Sequence, residues 1–494
     1  MKKSTLLLAL SLAAFQATEA QKKIPNPTKY GKTITAEELK THLYIVAGAE
    51  MEGRMTGSDG EKKAAAYLVS QFKSYGLQPG NNGSYFQPYH VYSDSVAKVG
   101  LSVNGVNLDN EINGNLTGYT VAFKSADLIY LGEGDAEKVK DINVRGRIVL
   151  ITPKAEAPAA NGQRRMPAYL RVAEDAKAKG AIAVLVATEE FKKENVQVSR
   201  VSGNAYKRMY TANSFQISNK AAAAILGTSD FASAKLGVVA ARTDLNQTIE
   251  NKAVVTNNVL AILEGSDKKD EYVFVTAHYD HDGKVGDVIW YGADDDGSGT
   301  VTLLELAQAF AQAKAEGKGP RRSIVFMAVS GEERGLLGSA YYGANPVYPL
   351  EKTTIDLNID MIGRRDPDYK GDSTNYIYVV GDDKISSESR GISEANNKKY
   401  TKLELDYKFN DPKDPMQIYY RSDHYNFAKY GVPIIFYFSG LHPDYHRPTD
   451  TPDKIDYVQM AKRAQLIFYT AWEVANRNEM LKRDTPLDPS TNRR

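Results

Sequence analysis

The amino-acid sequence predicts an α/β fold, in which a mostly parallel sheet is covered by helices on both faces and is interrupted by a β-rich α/β insert. After Val259, near-continuous apolar runs alternate with helical patterns, which is typical of buried parallel strands. Between about residues 91 and 240 the runs become short and are broken by Gly and Asn, which indicates a separately packed unit. The 494 residues suffice for two or three domains.

Two helices are predicted ahead of the insert. Thr35 is followed three residues later by Glu38, a capping-box pattern that begins a helix. A second helix is predicted at 61–75, where apolar residues recur at helical spacing and Gly76 follows as the stop.

The remaining predicted elements follow in chain order. The insert contains strands at 126–130 and 147–151, a helix at 173–179 and a buried strand at 181–187. Beyond the insert the pattern predicts strands at 272–277, 323–329, 354–359 and 433–438, with an amphipathic helix at 301–314. The resulting division is 1–20 signal peptide, 21–98 catalytic domain (first part), 99–250 insert, 251–482 catalytic domain (second part) and 483–494 disordered tail.

The N-terminus has the pattern of a secretory signal. Lys2 and Lys3 precede an apolar run at 6–15, and small residues at Thr18 and Ala20 mark a cleavage site. The apolar run is too short for a membrane span, which needs about 20 residues. We therefore expect an exported protein, periplasmic or secreted, without a membrane span and cleaved near Ala20.

Charge and cysteine content exclude several classes of protein. Lys and Arg number 62 against 61 Asp and Glu, so no basic excess favours nucleic acid, and none is expected as a partner. There is no cysteine, so thiol nucleophiles and thiolate-bound zinc are excluded, and a metal would need His and carboxylate ligands. Nothing in the sequence specifies an oligomeric state.

Candidate site residues stand where the predicted strands end. His278 follows the strand at 272–277, the pair Glu332–Glu333 follows the strand at 323–329, and Asp360 follows the strand at 354–359. In sheets of this kind the chemistry lies beyond the carboxyl ends of the strands. Three successive strands are thus expected to bring a His, a Glu pair and an Asp to one edge, near an acidic run at 294–296.

Such residues suit two divalent metal ions. A pair of metals needs about five side-chain ligands with one bridging carboxylate, and another carboxylate to take a proton from water. Imidazole and carboxylate suit zinc, and Glu332–Glu333 offers one residue for each role.

Structural roles remain open for each of these residues taken alone. The acidic run could cap a helix, the Glu pair could be a solvated turn, and a buried His is usually a core residue. A carboxylate at the buried end of a strand, such as Asp360, rarely lacks a partner. Together the structural roles explain the set poorly.

Several motifs resemble those of the family-28 zinc metallopeptidases, which include secreted bacterial aminopeptidases and glutamate carboxypeptidases. The resemblance covers about residues 36–95 and 255–480 and rests on residues 52–58, 278–280, 292–295, 332–336, 358–361 and 446–451. The block at 99–250 resembles a protease-associated domain. The implied fold is that of the zinc peptidases, which is phosphorylase/hydrolase-like.

The resemblance implies a role for each matching residue. It implies two Zn²⁺ per chain, one held by His278, Asp295 and Asp360, the other by Asp295, Glu333 and His446, so that Asp295 bridges them. It further makes Glu332 the general base, Asp280 the carboxylate that orients His278, and Tyr419 a stabiliser of the oxyanion.

Four further polar residues lie near these motifs. We expect Asp423 and His424 to be structural or to line the substrate pocket. The same expectation applies to His281 and His442.

The implied activity is that of a di-zinc aminopeptidase acting on peptides. One alternative is a glutamate carboxypeptidase, which would use arginines such as Arg364, Arg365 and Arg421 for substrate carboxylates. A second is a single-zinc glutaminyl cyclase, and a third is a binding protein without catalysis. The complete ligand set and Glu332 favour the aminopeptidase.

Overall fold

A computed structural model describes residues 24–116, 118–154, 168–194, 203 and 212–485. The predicted signal peptide (1–20) and residues 486–494 of the predicted tail lie outside the described residues. The first residues of that tail are held in place, since Arg483 donates to the Thr353 carbonyl and Thr485 N–H to the Ile385 carbonyl. The ordered chain therefore extends at least three residues beyond the predicted limit.

The described strands are β1 (Gln78–Pro79), β2 (Phe86–Val103), β3 (Val106–Asn107), β4 (Val121–Tyr130), β5 (Ile148–Ile151), β6 (Ala183–Thr188), β7 (Asn213–Ser218), β8 (Gly237–Leu263), β9 (Lys268–His278), β10 (Gly283–Val285), β11 (Val288–Trp290), β12 (Arg322–Val329), β13 (Thr353–Ile359), β14 (Tyr376–Val380), β15 (Glu404–Asp406) and β16 (Ile434–Phe438). The described α-helices are α1 (Thr28–Gly31), α2 (Ala36–Val46), α3 (Asp59–Ser74), α4 (Ala136–Val139), α5 (Ala168–Ala178), α6 (Asn219–Leu226), α7 (Gly299–Ala315), α8 (Leu337–Ala344), α9 (Ser389–Asn396), α10 (His424–Ala428) and α11 (Tyr457–Asn476).

The central part of the sheet has the order β15-β14-β16-β13-β9-β12-β8. The four strands β12, β9, β13 and β16 run parallel, whereas β8 is antiparallel to β12 and β14 is antiparallel to β16. Val329 at the end of β12 lies opposite His278 at the end of β9. The residues that follow these strands therefore meet at one edge, and the predicted mostly parallel α/β sheet is confirmed.

Alternating side chains of the central strands form two hydrophobic cores. Along β9, Val273, Val275 and Ala277 pack on the side of α2, α3, α7 and α11. Phe274 points to the opposite face, where it contacts Tyr342 of α8 and Phe427 of α10. Side chains buried on both faces explain why these strands are apolar throughout.

A long antiparallel ribbon leads from this sheet into the insert. β2 and β8 pair from Phe86 opposite Val259 to Val103 opposite Thr243. The insert continues the sheet through β8-β4-β5-β6-β7, of which the last four are parallel. It has its own apolar clusters, on the two sides of β5. The predicted limits at 99 and 250 fall within the ribbon strands.

Local sequence signals placed several elements correctly. Thr35 caps α2 by accepting the N–H of Glu38, as predicted, and α3 begins at Asp59, two residues before its predicted start. The ribbon, β7, β14 and the 20-residue helix α11 were not among the predicted elements. Among the described helices, none combines the length and the apolar character needed to cross a bilayer.

Candidate metal centre

The edge at the carboxyl ends of β9, β12 and β13 collects the predicted site residues. His278 ends β9, the turn at Glu332–Arg334 follows β12, and Asp360 follows β13. A fourth segment, Ala293–Ser298, brings Asp295 to the same place just ahead of α7. Strand register thus supplies the juxtaposition that the order of the residues in the sequence predicted.

The turn before Asp295 depends on glycine. Gly292 has φ of +54°, and a Cβ there would lie 2.3 Å from the Asp295 carbonyl oxygen and 2.5 Å from the His281 ring. Only a residue without a side chain fits this left-handed, crowded position. The close approach brings the Asp295 segment against the end of β9.

The first group of candidate ligands is His278, Asp295 and Asp360. His278 Nε2 lies 3.2 Å from Asp295 Oδ1 and 3.7 Å from Asp360 Oδ1. All three side chains are buried. One imidazole facing two carboxylates is a ligand set that zinc accepts.

The second group shares Asp295 with the first. His446 Nε2 lies 3.0 Å from Asp295 Oδ2 and 3.1 Å from Glu333 Oε2. The two oxygens of Asp295 therefore face different histidines, His278 and His446. This is the arrangement required of a carboxylate that bridges two metals.

The acidic neighbours of Asp295 are occupied by backbone hydrogen bonds. Asp296 accepts the N–H groups of His278 and Met361, and Asp294 accepts that of Gly363. Asp450 accepts the N–H groups of both Asp294 and Asp295, at 2.9 and 3.2 Å. Of the acidic run 294–296, Asp295 is thus the residue that faces His278 and His446.

Two of the predicted ligand atoms, His278 Nε2 and Asp295 Oδ2, are buried and have no hydrogen bond within the described chain. Buried polar atoms without a partner are rare and costly. The His–carboxylate donor set and these unpartnered atoms fit a zinc ion. The residues present therefore fit the metal that the sequence resemblance implies.

The contacts of Asp280 differ from the prediction that its carboxylate orients His278. The backbone carbonyl of Asp280 lies 3.1 Å from His278 Nδ1, whereas its carboxylate is 3.7 Å away. The carboxylate instead accepts the Thr56 hydroxyl at 2.7 Å and the Glu332 N–H at 3.1 Å. Asp280 therefore fixes both the His278 ring and the turn that carries Glu332.

The pKa values of the adjacent residues Glu332 and Glu333 are shifted in opposite directions. Burial raises the pKa of Glu332 well above its usual range, and the charges of Glu333 and Asp360 add to the rise. Burial and Asp295 alone would also raise the pKa of Glu333, but His281 and His446 outweigh them and lower it to about 2. Glu332 is thus suited to accept a proton, and Glu333 to remain an anionic ligand.

Arg54 is a structural anchor that the sequence analysis did not single out. Its fully buried guanidinium donates to the carbonyls of Val46, Tyr279, Tyr291 and Gly292 at 2.8–2.9 Å. These bonds join the end of α2 to the two segments that carry His278 and Asp295. Burial lowers the pKa of Arg54 to about 10, which leaves it charged at neutral pH. Its position in the motif at 52–58 was the available signal.

His281 and Asp282 also reach the centre. His281 Nδ1 lies 2.7 Å from Glu333 Oε1, so the imidazole orients that carboxylate. Asp282 Oδ2 is 3.9 Å from His446 Nδ1, and its other oxygen accepts a hydrogen bond from Arg334. Sequence analysis missed Asp282, although it follows directly on the polar run 278–281.

A small cavity that opens to solvent adjoins the centre and is lined by Tyr445 together with Asp295, Glu332 and Asp360. The structure does not bring Tyr419 into this cavity. Its ring is buried beside Gly381, and burial raises its pKa. Among the described residues, Tyr445 is the tyrosine that lines this cavity.

The other polar residues near the motifs have structural contacts. The Asp423 carboxylate accepts the Ser339 hydroxyl, and His424 Nε2 lies 2.8 Å from the Tyr419 carbonyl oxygen. Burial lowers the pKa of His424 to about 3, so it is neutral. His442 Nε2 lies 3.3 Å from Asp294 Oδ2 and supports the acidic turn.

The chain is similar in sequence to curated peptidases. A probable leucine aminopeptidase of Trichophyton verrucosum is 32% identical over 225 residues, covering 44% of this chain and 57% of that protein. A probable zinc metalloprotease of Pyrenophora tritici-repentis is 26% identical over 339 residues, covering 58% of this chain and 67% of the relative. The chain thus spans roughly half to two thirds of the length of these curated relatives.

Solved structures share the fold over almost the whole chain. An aminopeptidase from Aneurinibacillus sp. strain AM-1 superposes with a TM-score of 0.56 at 21% identity, covering 94% of this chain and 99% of that one. The zinc aminopeptidase BSAP from Bacillus subtilis gives a TM-score of 0.52 at 19% identity, with the same coverage of both chains.

Residues 258–471, which contain the predicted ligands from β9 to His446, match the model of Peptidase family M28. This segment of the chain is thus similar to peptidase family M28.

Proposed function

We propose that the protein is an aminopeptidase that binds two zinc ions and removes N-terminal residues from peptides. The observation that carries this proposal is Asp295, whose two oxygens face His278 on one side and His446 on the other. Asp360 completes one set of ligands and Glu333 the other. The aminopeptidases among the relatives and structural neighbours support the same activity.

Peptide hydrolysis in this proposal uses both the metal ions and Glu332. When bound, the zinc ions supply Lewis-acid polarisation of the scissile carbonyl and of the attacking water. Glu332 Oε2, which lies 3.9 Å from His278 Nε2, takes a proton from that water and delivers it to the departing amine nitrogen. Asp280 holds the backbone of Glu332 during this transfer through the N–H bond of 3.1 Å.

The charges around the centre favour an N-terminal substrate over a C-terminal one. Carboxylates such as Asp360 and Glu332 beside the cavity can hold a free α-ammonium group. A glutamate carboxypeptidase would need a cluster of free arginines, but Arg364 donates to Asp444 at 3.0 Å and Arg365 to Asp456. Two of the three arginines considered for that role are therefore engaged.

Two further assignments complete the proposal. The insert acts as a protease-associated domain, which is supported by its separate apolar clusters and by its position beyond the β2–β8 ribbon. The protein is exported, which is supported by Lys2, Lys3 and the apolar run at 6–15. Neither assignment adds a ligand to the metal centre.

One set of measurements separates the aminopeptidase from its alternatives. We expect elemental analysis to give two zinc ions per chain, and the enzyme to cleave leucine p-nitroanilide but not its N-acetyl derivative. Cleavage of N-acetyl peptides ending in glutamate would support the carboxypeptidase instead. One zinc with cyclisation of N-terminal glutamine would support the cyclase, and two zinc ions without hydrolysis would support a binding protein.

A further inference from the structure

The cavity beside the metal centre combines two kinds of wall. Asp295, Glu332 and Asp360 form its acidic end. Its other walls are largely apolar and include Ile418, Phe436 and Leu441. One cation, Arg421, also lines it. A substrate side chain placed here would meet apolar surface along its stem and a guanidinium at one side.

Arg421 is tethered to the metal centre through Tyr445. Arg421 Nη2 donates to Tyr445 Oη at 3.1 Å, and its guanidinium carbon lies 5.9 Å from the centre of the Tyr445 ring. The Tyr445 ring in turn stacks on His446 with a centroid distance of 3.9 Å. The guanidinium is therefore held at the cavity, although the residue is exposed.

The charge of Arg421 has no carboxylate partner among the described residues. Neighbouring arginines differ, because Arg334 pairs with Asp282 at 3.2 Å and Arg364 with Asp444 at 3.0 Å. The partner of Arg421 in the described chain is the Tyr445 hydroxyl, which does not balance the charge of the guanidinium. An exposed guanidinium that uses one donor within the described chain is ready to bind an anion.

We propose that Arg421 selects substrates that carry a carboxylate close to the scissile bond. The proposal rests on the aminopeptidase function and specifies its substrate class. The carboxylate has two possible sources, the side chain of an N-terminal Glu or Asp, or the terminal carboxylate of a dipeptide. In either case the acidic end of the cavity holds the α-ammonium, and the Arg421 fork binds the carboxylate.

Two pairs of substrates test the charge alone. Glutamic acid α-(p-nitroanilide) and glutamine p-nitroanilide differ only in the side-chain carboxylate. Leu-Leu and Leu-Leu-amide differ only in the terminal carboxylate. We expect wild-type kcat/KM to favour the acid by about 10-fold or more in one pair, in line with a charge-assisted hydrogen bond. The pair that shows the preference identifies the source.

The variant Arg421→Gln removes the charge and keeps hydrogen-bonding capacity. We expect it to bring the acid-to-neutral ratio close to one, with kcat/KM for leucine p-nitroanilide within a few-fold of wild type. Arg421→Lys should retain part of the preference, because it keeps the charge without the fork. Arg447→Gln is the matched control, because Arg447 is exposed, has no carboxylate partner in the described chain and does not line the cavity.

The outcomes separate this proposal from the proposed function. If leucine p-nitroanilide is cleaved but both ratios are near one, or if Arg421→Gln leaves a preference unchanged, the role of Arg421 is wrong and the aminopeptidase stands. If no aminoacyl substrate is cleaved, the aminopeptidase fails. Calorimetry of the zinc-loaded protein with the α-hydroxamates of glutamate and glutamine then still tests Arg421. Equal affinities, or a difference that survives in Arg421→Gln, would overturn it.

Discussion

The guanidinium of Arg54 donates a hydrogen bond of 2.9 Å to the carbonyl of Gly292, the residue that begins the turn to Asp295. The same side chain bonds the carbonyl of Tyr279, next to His278, at 2.8 Å. One buried cation thereby joins two segments of the metal centre that are distant in sequence. The contact links the segment at 52–58 to the chemistry.

Replacing Arg54 should destabilise both the fold and the centre. Arg54→Met removes a hydrogen-bond donor from four carbonyls, and we expect the free energy of unfolding to fall by at least about 3 kcal/mol. Zinc affinity should fall as well, because the turn at Gly292 loses its anchor. Chemical denaturation of the zinc-loaded and zinc-free protein measures both effects. Arg365→Met, which removes an exposed pair with Asp456, should cost less than about 1 kcal/mol. Equal effects of the two variants would contradict the anchoring role.

The glutamate pair should separate proton transfer from metal binding. Glu332→Gln keeps the shape but cannot take a proton, so we expect kcat to fall by at least about 10²- to 10⁴-fold with zinc content preserved. Glu333→Gln replaces an anionic ligand by a neutral one, so zinc should be lost first and activity should recover partly with added zinc. Zinc content and kcat are measured on both variants. Loss of metal in Glu332→Gln with full metal in Glu333→Gln would reverse the assignment.

Glu305 on α7 predicts a pH-dependent stability that is independent of the metal centre. Burial raises its pKa to about 9, and the charge of Glu38 adds to the rise. His42, 3.5 Å away, has its pKa lowered by burial, so it offers a neutral partner. The native protein thus binds a proton that the unfolded chain releases above its ordinary glutamate pKa. Stability from this group is present at low pH and declines as pH rises toward 9.

The variant Glu305→Gln tests this titration. It should gain stability relative to wild type between pH 6 and 8, by up to about 1.4 kcal/mol per pH unit. Denaturant unfolding of the zinc-free protein at the two pH values measures the difference. Glu316→Gln provides a control, because Glu316 is paired with Lys29 at the surface and its pKa is lowered. A stability difference between Glu305→Gln and wild type that does not change with pH would contradict the raised pKa.

The insert should be separable from the metal centre. Ser93 lies opposite Lys252 in the β2–β8 ribbon, so residues 94–251 can be replaced by an Asn-Gly hairpin turn. We expect the shortened protein to keep its zinc content, since the candidate ligands lie outside the insert, while its preference for peptide length changes. Elemental analysis and a series of peptides of increasing length measure the two properties. A folded variant without zinc would show that the insert supports the centre directly.

The sequence alone allowed the α/β class and much of the candidate site to be predicted. Buried parallel strands are apolar on both faces, so β9, β12, β13 and β16 could be recognised locally. Because parallel strands end at one edge, His278, the Glu pair and Asp360 could be expected together. The capping bond from Glu38 to Thr35 was also a local property of the chain.

Only the tertiary structure decided which side chain of each polar run faces the centre. Asp294 and Asp296 accept backbone N–H groups from Gly363 and Met361, whereas Asp295 faces His278 and His446. Such partners come from distant parts of the chain, so no local pattern encodes them. The buried position of Tyr419 and the exposed position of Arg421, which has no carboxylate partner in the described chain, have the same origin. Side-chain direction in a turn depends on long-range packing, whereas the order of strands and ligand types is already determined by the sequence.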